Sequence, residues 1–153
     1  MKFGLFGGIS ASGGDVTGYR DSYESYIASV VEAEALGYHG NFVVEHHFTG
    51  MGQVSASLNL LTFLAARTNR IRLGTAVVVL PWHNPVLIAE QAATLDLLSG
   101  GRLDFGVGKG YRFSEFDGFR IPMDEATERF EEAMAVIRAA WTTEGRFSHR
   151  GKR

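Results

Sequence analysis

The chain reads as an α/β fold: four consecutive strand–helix units laid on a parallel sheet. Apolar runs of strand length alternate four times with segments whose apolar residues recur at helical spacing. Glycine, 19 of 153 residues and about twice its usual share, gathers at the joints between them. The third run, Ile71 to Leu80, is apolar and β-branched almost throughout, as suits a strand buried on both faces. Alternating units of this kind give a parallel sheet with crossover helices.

Met1 to Gly7 is the first strand, with Phe3, Leu5 and Phe6 apolar and Gly7-Gly8 stopping the run. A small-residue loop with Gly13, Gly14 and Gly18 follows. Tyr23, Tyr26, Ile27, Val30 and Val31 then predict a helix over 21–36, with Asp21 or Ser22 as N-cap and Gly37 as C-cap. Asn41 to Glu45 is a short strand running into His46-His47, and a loop with Gly50 and Gly52 comes next. Leu58, Leu61, Phe63, Leu64 and Ala65 make a second helix, ended by Arg67-Thr68-Asn69. Pro81 and Pro85 close the third strand, and Val86 to Leu98 is a third helix terminated by Gly100-Gly101. Arg102 to Val107 is the fourth strand, before a Gly108-Lys109-Gly110 turn. Asp124 to Thr143 is the last helix, with Phe130, Ala133, Met134, Ile137 and Trp141 as its stripe, and a basic tail runs from Gly145.

Two architectures fit this pattern, an open doubly wound sheet and part of a (β/α)₈ barrel. The first loop lacks the full G-x-G-x-x-G fingerprint of a dinucleotide-binding open sheet. Four units take about 143 residues and eight would take roughly 290, near the usual barrel size, so on length this is half a barrel. Composition excludes several classes. With 45% hydrophobic and 21% charged residues the chain is an ordinary globular domain rather than a disordered one. Fifteen Lys and Arg against 17 Asp and Glu leave a net charge of -2, which argues against a nucleic-acid partner. Without cysteine there is no disulfide framework, thiolate metal site or cysteine nucleophile. No window of about 18 apolar residues spans a membrane, and the N-terminus lacks signal-peptide features, so a cytoplasmic protein is expected.

Ligands in either architecture bind beyond the C-terminal strand ends, where three of the five histidines fall. Glu45-His46-His47 is the most informative cluster. Side chains alternate along a strand, so His46 is expected to face one way while Glu45 and His47 face the other. A histidine there exchanges protons near neutral pH, and a neighbouring carboxylate fixes its tautomer. A hydrogen-bonded structural pair and, less favoured because adjacent histidines rarely share an ion, a metal site are the competing readings. Gly106 to Tyr111 is a glycine-rich strand exit with one cation, suited to an anion but equally to a turn needing positive φ. Gly74 to Pro81 is a buried strand that could also offer a flat apolar platform to a planar ring.

Four stretches together resemble the bacterial luciferase-like flavin monooxygenase family. They are Glu45-His46-His47-Phe48-Thr49; Leu73 to Pro81 with His83, Pro85 and Val86; Leu95 to Arg102; and Phe105 to Gly110. The resemblance implies a (β/α)₈ barrel, of which residues 1–153 are one domain, the N-terminal four βα units, cut short of family length. It implies reduced FMN, or a deazaflavin in some branches, at the C-terminal mouth, with oxygen and a small organic substrate. By position, His46 is similar to the family's catalytic histidine, with Glu45 and His47 as pocket neighbours. Ala76 and Val77 fall where the family has a non-prolyl cis peptide under the flavin ring. Lys109 matches an arginine near the flavin phosphate, Tyr111 follows in the loop lining the ring and ribityl chain, and no metal is implied. Gly108 stands where the light-emitting enzyme has a reactive cysteine, which argues against light emission.

A half-barrel is also expected to leave strands 1 and 4 as open edges and the inward apolar side chains partly exposed. Association follows, as a homo-oligomer or with a partner chain completing the barrel. The second reading of the chain is therefore a catalytically incompetent remnant that binds flavin weakly or pairs with a partner.

Overall fold

The structure is a computed structural model and describes residues 1–9, 16–48 and 54–152. The expected glycine loops at Gly13-Gly14 and Gly50-Gly52, and Thr49, lie outside the described residues. Among the described residues six strands and five α-helices follow one another: β1 (Gly4–Gly7), α1 (Val16–Ala35), β2 (Gly40–Val43), α2 (Ser57–Ala65), β3 (Arg72–Thr75), β4 (Val78–Val79), α3 (Pro85–Ser99), β5 (Leu103–Asp104), β6 (Val107–Gly108), α4 (Phe113–Gly118) and α5 (Ala126–Thr142). No helix among the described residues is long and apolar enough to cross a membrane.

The main sheet is parallel with order β1-β2-β3-β5. Each unit adds its strand on the same side of the last. An open doubly wound sheet reverses direction at a switch point; this sheet does not, so of the two architectures it is the barrel type, four units long.

Neither of the two later strands is continuous. The expected strand Ile71 to Leu80 is broken between β3 and β4, and Arg102 to Val107 between β5 and β6; β4 and β6 pair as a second parallel sheet, Val78 with Val107 and Val79 with Gly108. The Ala76–Val77 peptide in the first break is cis. The Thr75 hydroxyl bridges the gap, donating to Gly106 O at 2.7 Å and accepting from Gly106 N–H at 2.9 Å. A Cβ at Gly106 would collide with the Thr75 carbonyl oxygen, which only glycine avoids.

Helix ends follow capping chemistry. Asn84 Oδ1 accepts from Val86 and Leu87 N–H, Pro85 fills the first position, and Gly100 closes α3 in the left-handed region. Gly37, at φ +86°, follows α1 as expected. The start of α1 differs: the helix begins at Val16, so Asp21 and Ser22 are interior and do not cap it. Ser22 instead donates its hydroxyl to Gly18 O within the helix. A turn of 3₁₀ helix, Met123–Glu125, leads into α5, and α4 was not foreseen because six residues are too few to show a helical period.

The core lies between sheet and helices. Val43 and Leu73 point outward from the strands and pack with Val30, Leu61, Leu64, Ile88, Leu95 and Ile137. The inward face differs from the apolar one expected. Alternation gives it Gly4, Phe6, Gly40, Phe42, Arg72, Gly74 and Asp104. The Phe42 ring lies across the glycines of its own and both flanking strands; a Cβ at Gly40 would stand 2.8 Å from it. Arg72 and Asp104 form a two-armed ion pair at 2.6 and 2.8 Å. Among the described residues of this face, Phe6, 74% exposed, is the large open apolar group.

Candidate active site

A cleft of about 660 Å³ opens at the C-terminal ends of the strands, within the usual range for small-molecule sites. Its walls come from three strand exits. Glu45 and His46 follow β2, Ala76 and Val77 fill the break between β3 and β4, and Gly108, Lys109 and Tyr111 end and follow β6. All seven were singled out from the sequence. His47 alone of the expected residues is absent from the lining. Phe6, Val44, Val79, Gly110 and Glu115 complete it.

The expected alternation at Glu45-His46-His47 holds past the end of β2. His46 turns to Glu115, with Nδ1 3.1 Å from Oε1. Glu115 is 2% exposed, and the same oxygen accepts the His47 backbone N–H at 2.9 Å. A carboxylate only accepts, so in this contact Nδ1 carries the proton and Nε2 is left free for the cleft. Glu115 is the site residue that sequence reading missed. It sits in α4 between Phe113 and Phe116, and one acid in so aromatic a stretch was the available signal.

Glu45 and His47 turn to the other side. Glu45 Oε1 lies 2.9 Å from His47 Nε2 and 2.6 Å from His83 Nε2, while Oε2 accepts from Val79 N–H at 2.8 Å. Burial, the largest influence, pushes the Glu45 carboxyl up; the hydrogen bonds from His47, His83 and Val79 together outweigh it and hold it below the ordinary glutamate value. The His47 ring stands edge-on to Phe119 and Trp82, with centroids 4.7 and 5.4 Å away. It is packed behind the cleft wall rather than exposed in it.

The Val77 floor and the Gly108 to Tyr111 side of the cleft are shaped by missing side chains. A Cβ on Gly108 would lie 2.6 Å from Val77 Cγ2, so the valine occupies the space that a side chain at 108 would need. Gly110 has φ +76° and would put a Cβ 2.7 Å from Val79 Cγ1; both demands select glycine. Lys109 is exposed between them, and among the described residues no carboxylate pairs with it.

Fold and cleft define a class: four units of a barrel of the (β/α)₈ type, with a cleft at the C-terminal strand ends bordered by a histidine–carboxylate pair and a glycine-flanked cation. Residues 1–153 match the model of the luciferase-like monooxygenase family, and the chain belongs to that family. It is 30% identical over 154 residues to the oxygenase component of a flavin-dependent trigonelline monooxygenase of Acinetobacter baylyi, covering 99% of this chain and 42% of that one. The crystal structure of the monooxygenase RslO1 from Streptomyces bottropensis superposes with a TM-score of 0.87 at 34% identity, over 99% of this chain and 47% of that one. The oxygenating constituent of 3,6-diketocamphane monooxygenase from Pseudomonas putida, solved with FMN, shares the fold with a TM-score of 0.90 at 22% identity, over 99% and 42%. The chain thus spans less than half the length of each of these three.

Proposed function

We propose that this chain forms the reduced-flavin side of a flavin-dependent monooxygenase acting with oxygen on a small organic substrate. The four units are the N-terminal half of a barrel whose other half comes from further residues or a partner chain. One observation carries the reading: the cleft gathers His46, the Ala76–Val77 floor and the Gly108–Tyr111 loop from three separate strand exits.

The residues fit a flavin mononucleotide. The Ala76–Val77 peptide and the Val77 and Val79 side chains offer an apolar floor to a flat ring, and Gly108 removes the side chain that would stand over it. Lys109, flanked by Gly108 and Gly110, supplies a cation for the phosphate where the backbone can approach closely. Tyr111, on the rim, borders the ring and ribityl chain. Glu45 and His47 act from behind: Glu45 fixes the Val79 backbone of the floor and the His47 ring.

A bound reduced flavin supplies two electrons to oxygen, one atom of which enters the substrate while the other leaves as water. The protein's part is proton handling and water exclusion. Glu115 holds His46 by Nδ1, so His46 takes or gives a proton at Nε2 facing the cleft. Phe6, Val44 and the valines keep the surroundings apolar.

Titration of oxidised and reduced FMN against wild type and Lys109→Ala tests the reading. FMN should bind, and the variant should bind roughly tenfold or more weakly, the value of a charge-assisted contact. Equal affinities would remove Lys109 from the site; no binding by a protein carrying all eight units would sink the flavin reading. Deazaflavin binding in place of FMN would keep the site and change the cofactor.

A further inference from the structure

Behind the cleft, outside the strands, lies a second cavity of about 230 Å³ between the start of α2 and α3, lined by polar groups including Ser55, Ser57, Asn59 and Gln91. Among the described residues Glu45 alone borders both this cavity and the cleft. His83 borders the outer cavity too, and a further hollow of about 210 Å³ against α5. Its side chain is partly exposed, whereas the Glu45 side chain is buried. The three residues His83, Glu45 and His47 therefore form a cluster in the barrel wall, between the outer cavity that His83 borders and the cleft that Glu45 borders.

The cluster has an unusual feature. Both imidazoles meet the same oxygen, Glu45 Oε1, at 2.6 and 2.9 Å. With both rings neutral the cluster carries a charge of −1, held by the two imidazoles and the Val79 N–H. One extra proton on either ring makes it neutral. The charged groups facing it are few: Glu115 bonds the His47 backbone N–H, and Arg129 and Glu132 of α5 line the hollow on the outer side of His83.

We propose that His83, Glu45 and His47 are a proton-sharing cluster, loaded from the outer cavity through His83, that gains one positive charge when an anionic ligand enters the cleft. Only the last clause rests on the flavin reading. Loading places a proton from hydronium or buffer acid on His83 Nδ1. Both Nε2 protons stay donated to Glu45 Oε1, so the loaded state is a doubly protonated His83 ring held against the carboxylate. One N–H bond forms as the bond to the donor acid breaks, and the positive charge stays on the His83 ring beside Glu45. An anion in the cleft raises the cost of the unloaded state and so draws the proton in. His83 is in this sense a positioning and charge-balancing residue; it does not touch the ligand.

Two measurements test it, with FMN as the probe. Calorimetric titration of FMN at pH 7 in two buffers of different ionisation enthalpy counts the protons taken up on binding. Wild type should take up more than His83→Gln; the ligand's own ionisation cancels in the comparison, and equal uptake overturns the proposal. In ligand-free protein, NMR titration of the His47 ring should move by roughly one pH unit in His83→Gln, as for strongly coupled sites. The exposed His39 should not move. An unmoved His47 curve overturns the cluster. Should His83→Gln fail to fold, Glu45→Gln breaks the same sharing and must move the His47 and His83 curves together. Failure of wild type to bind FMN sinks the flavin reading instead, and the NMR comparison then decides the cluster alone.

Discussion

Two buried glutamates, at opposite ends of the sheet, do different work with the same carboxylate. Glu34, at the end of α1, accepts backbone N–H groups from Asn69, Arg70 and Ile71 at 2.6 to 3.1 Å, pinning the entry to β3. Glu45, beyond the end of β2, accepts one backbone N–H and two imidazoles. For both, burial is the largest influence and raises the carboxyl, and hydrogen bonds then bring it below the ordinary value. The donors around Glu34 never titrate, so that site can only hold. Two of those around Glu45 are imidazoles, whose ring nitrogens can gain or lose a proton, so that site can also exchange. The contrast follows the division usual in barrels, whose N-terminal strand ends serve stability and whose C-terminal ends carry sites.

The largest expected effect lies at the chemical end. In a barrel with all eight units, His46→Ala should lower oxygenation by 10²–10⁴-fold, the typical range for general acid–base help, with the unfolding midpoint little changed. Turnover within about a factor of three of wild type, well below that range, would make His46 structural. At the other end, Glu34→Ala strands three backbone donors and should cost roughly 3 kcal/mol in urea unfolding, while FMN affinity stays put. If Glu45→Gln proved the more destabilising of the two, the division between holding and exchanging would be wrong.

The floor offers a smaller, two-sided test. Gly108→Ala should destabilise by about 1–3 kcal/mol through overpacking against Val77, and adding Val77→Ala should recover most of it. Additive losses in the double variant would show that the two residues do not share the space.

Acid stability gives the smallest effect. Both carboxyls sit below the ordinary glutamate value of 4.5 when folded. Each therefore contributes stability that is complete above that value and drains away as pH falls through the lower folded one. Glu34→Gln should flatten the fall in stability below pH 4.5. An unchanged slope in unfolding experiments across that window would remove Glu34 from the acid response.

Local signals made most of this legible. Glycine at 37 and 100 marked helix ends correctly because caps depend on a few neighbouring residues, whereas Pro85, read as closing the third strand, begins α3 behind its Asn84 cap. The cleft was legible in part because strand exits converge in any parallel barrel, so Glu45-His46 and Gly108 to Tyr111 had to approach one another, while Ala76-Val77, inside a run read as one strand, came from the family resemblance. What stayed hidden depends on contacts far along the chain. Glu115 meets His46 across 69 positions. The break in the third strand depends on Thr75 reaching Gly106, which a run of β-branched residues conceals. The inward face was misjudged for a related reason: a glycine under a distant phenylalanine ring looks, in sequence, like a glycine in a loop.

The short upper sheet has a consequence for anyone recombining this family. Val78-Val79 and Val107-Gly108 pair with each other and not with the lower strands. The floor of the cleft and the lysine loop are thereby set in a register of their own, fastened below by Thr75 and Gly106. A segment exchanged between relatives at 105–112 alone would bring in a loop cut for a different floor. Exchanged together with 75–79 it would arrive with its partner. The heritable module here is discontinuous, two stretches some thirty positions apart, and crossover points chosen from sequence blocks alone would cut through it.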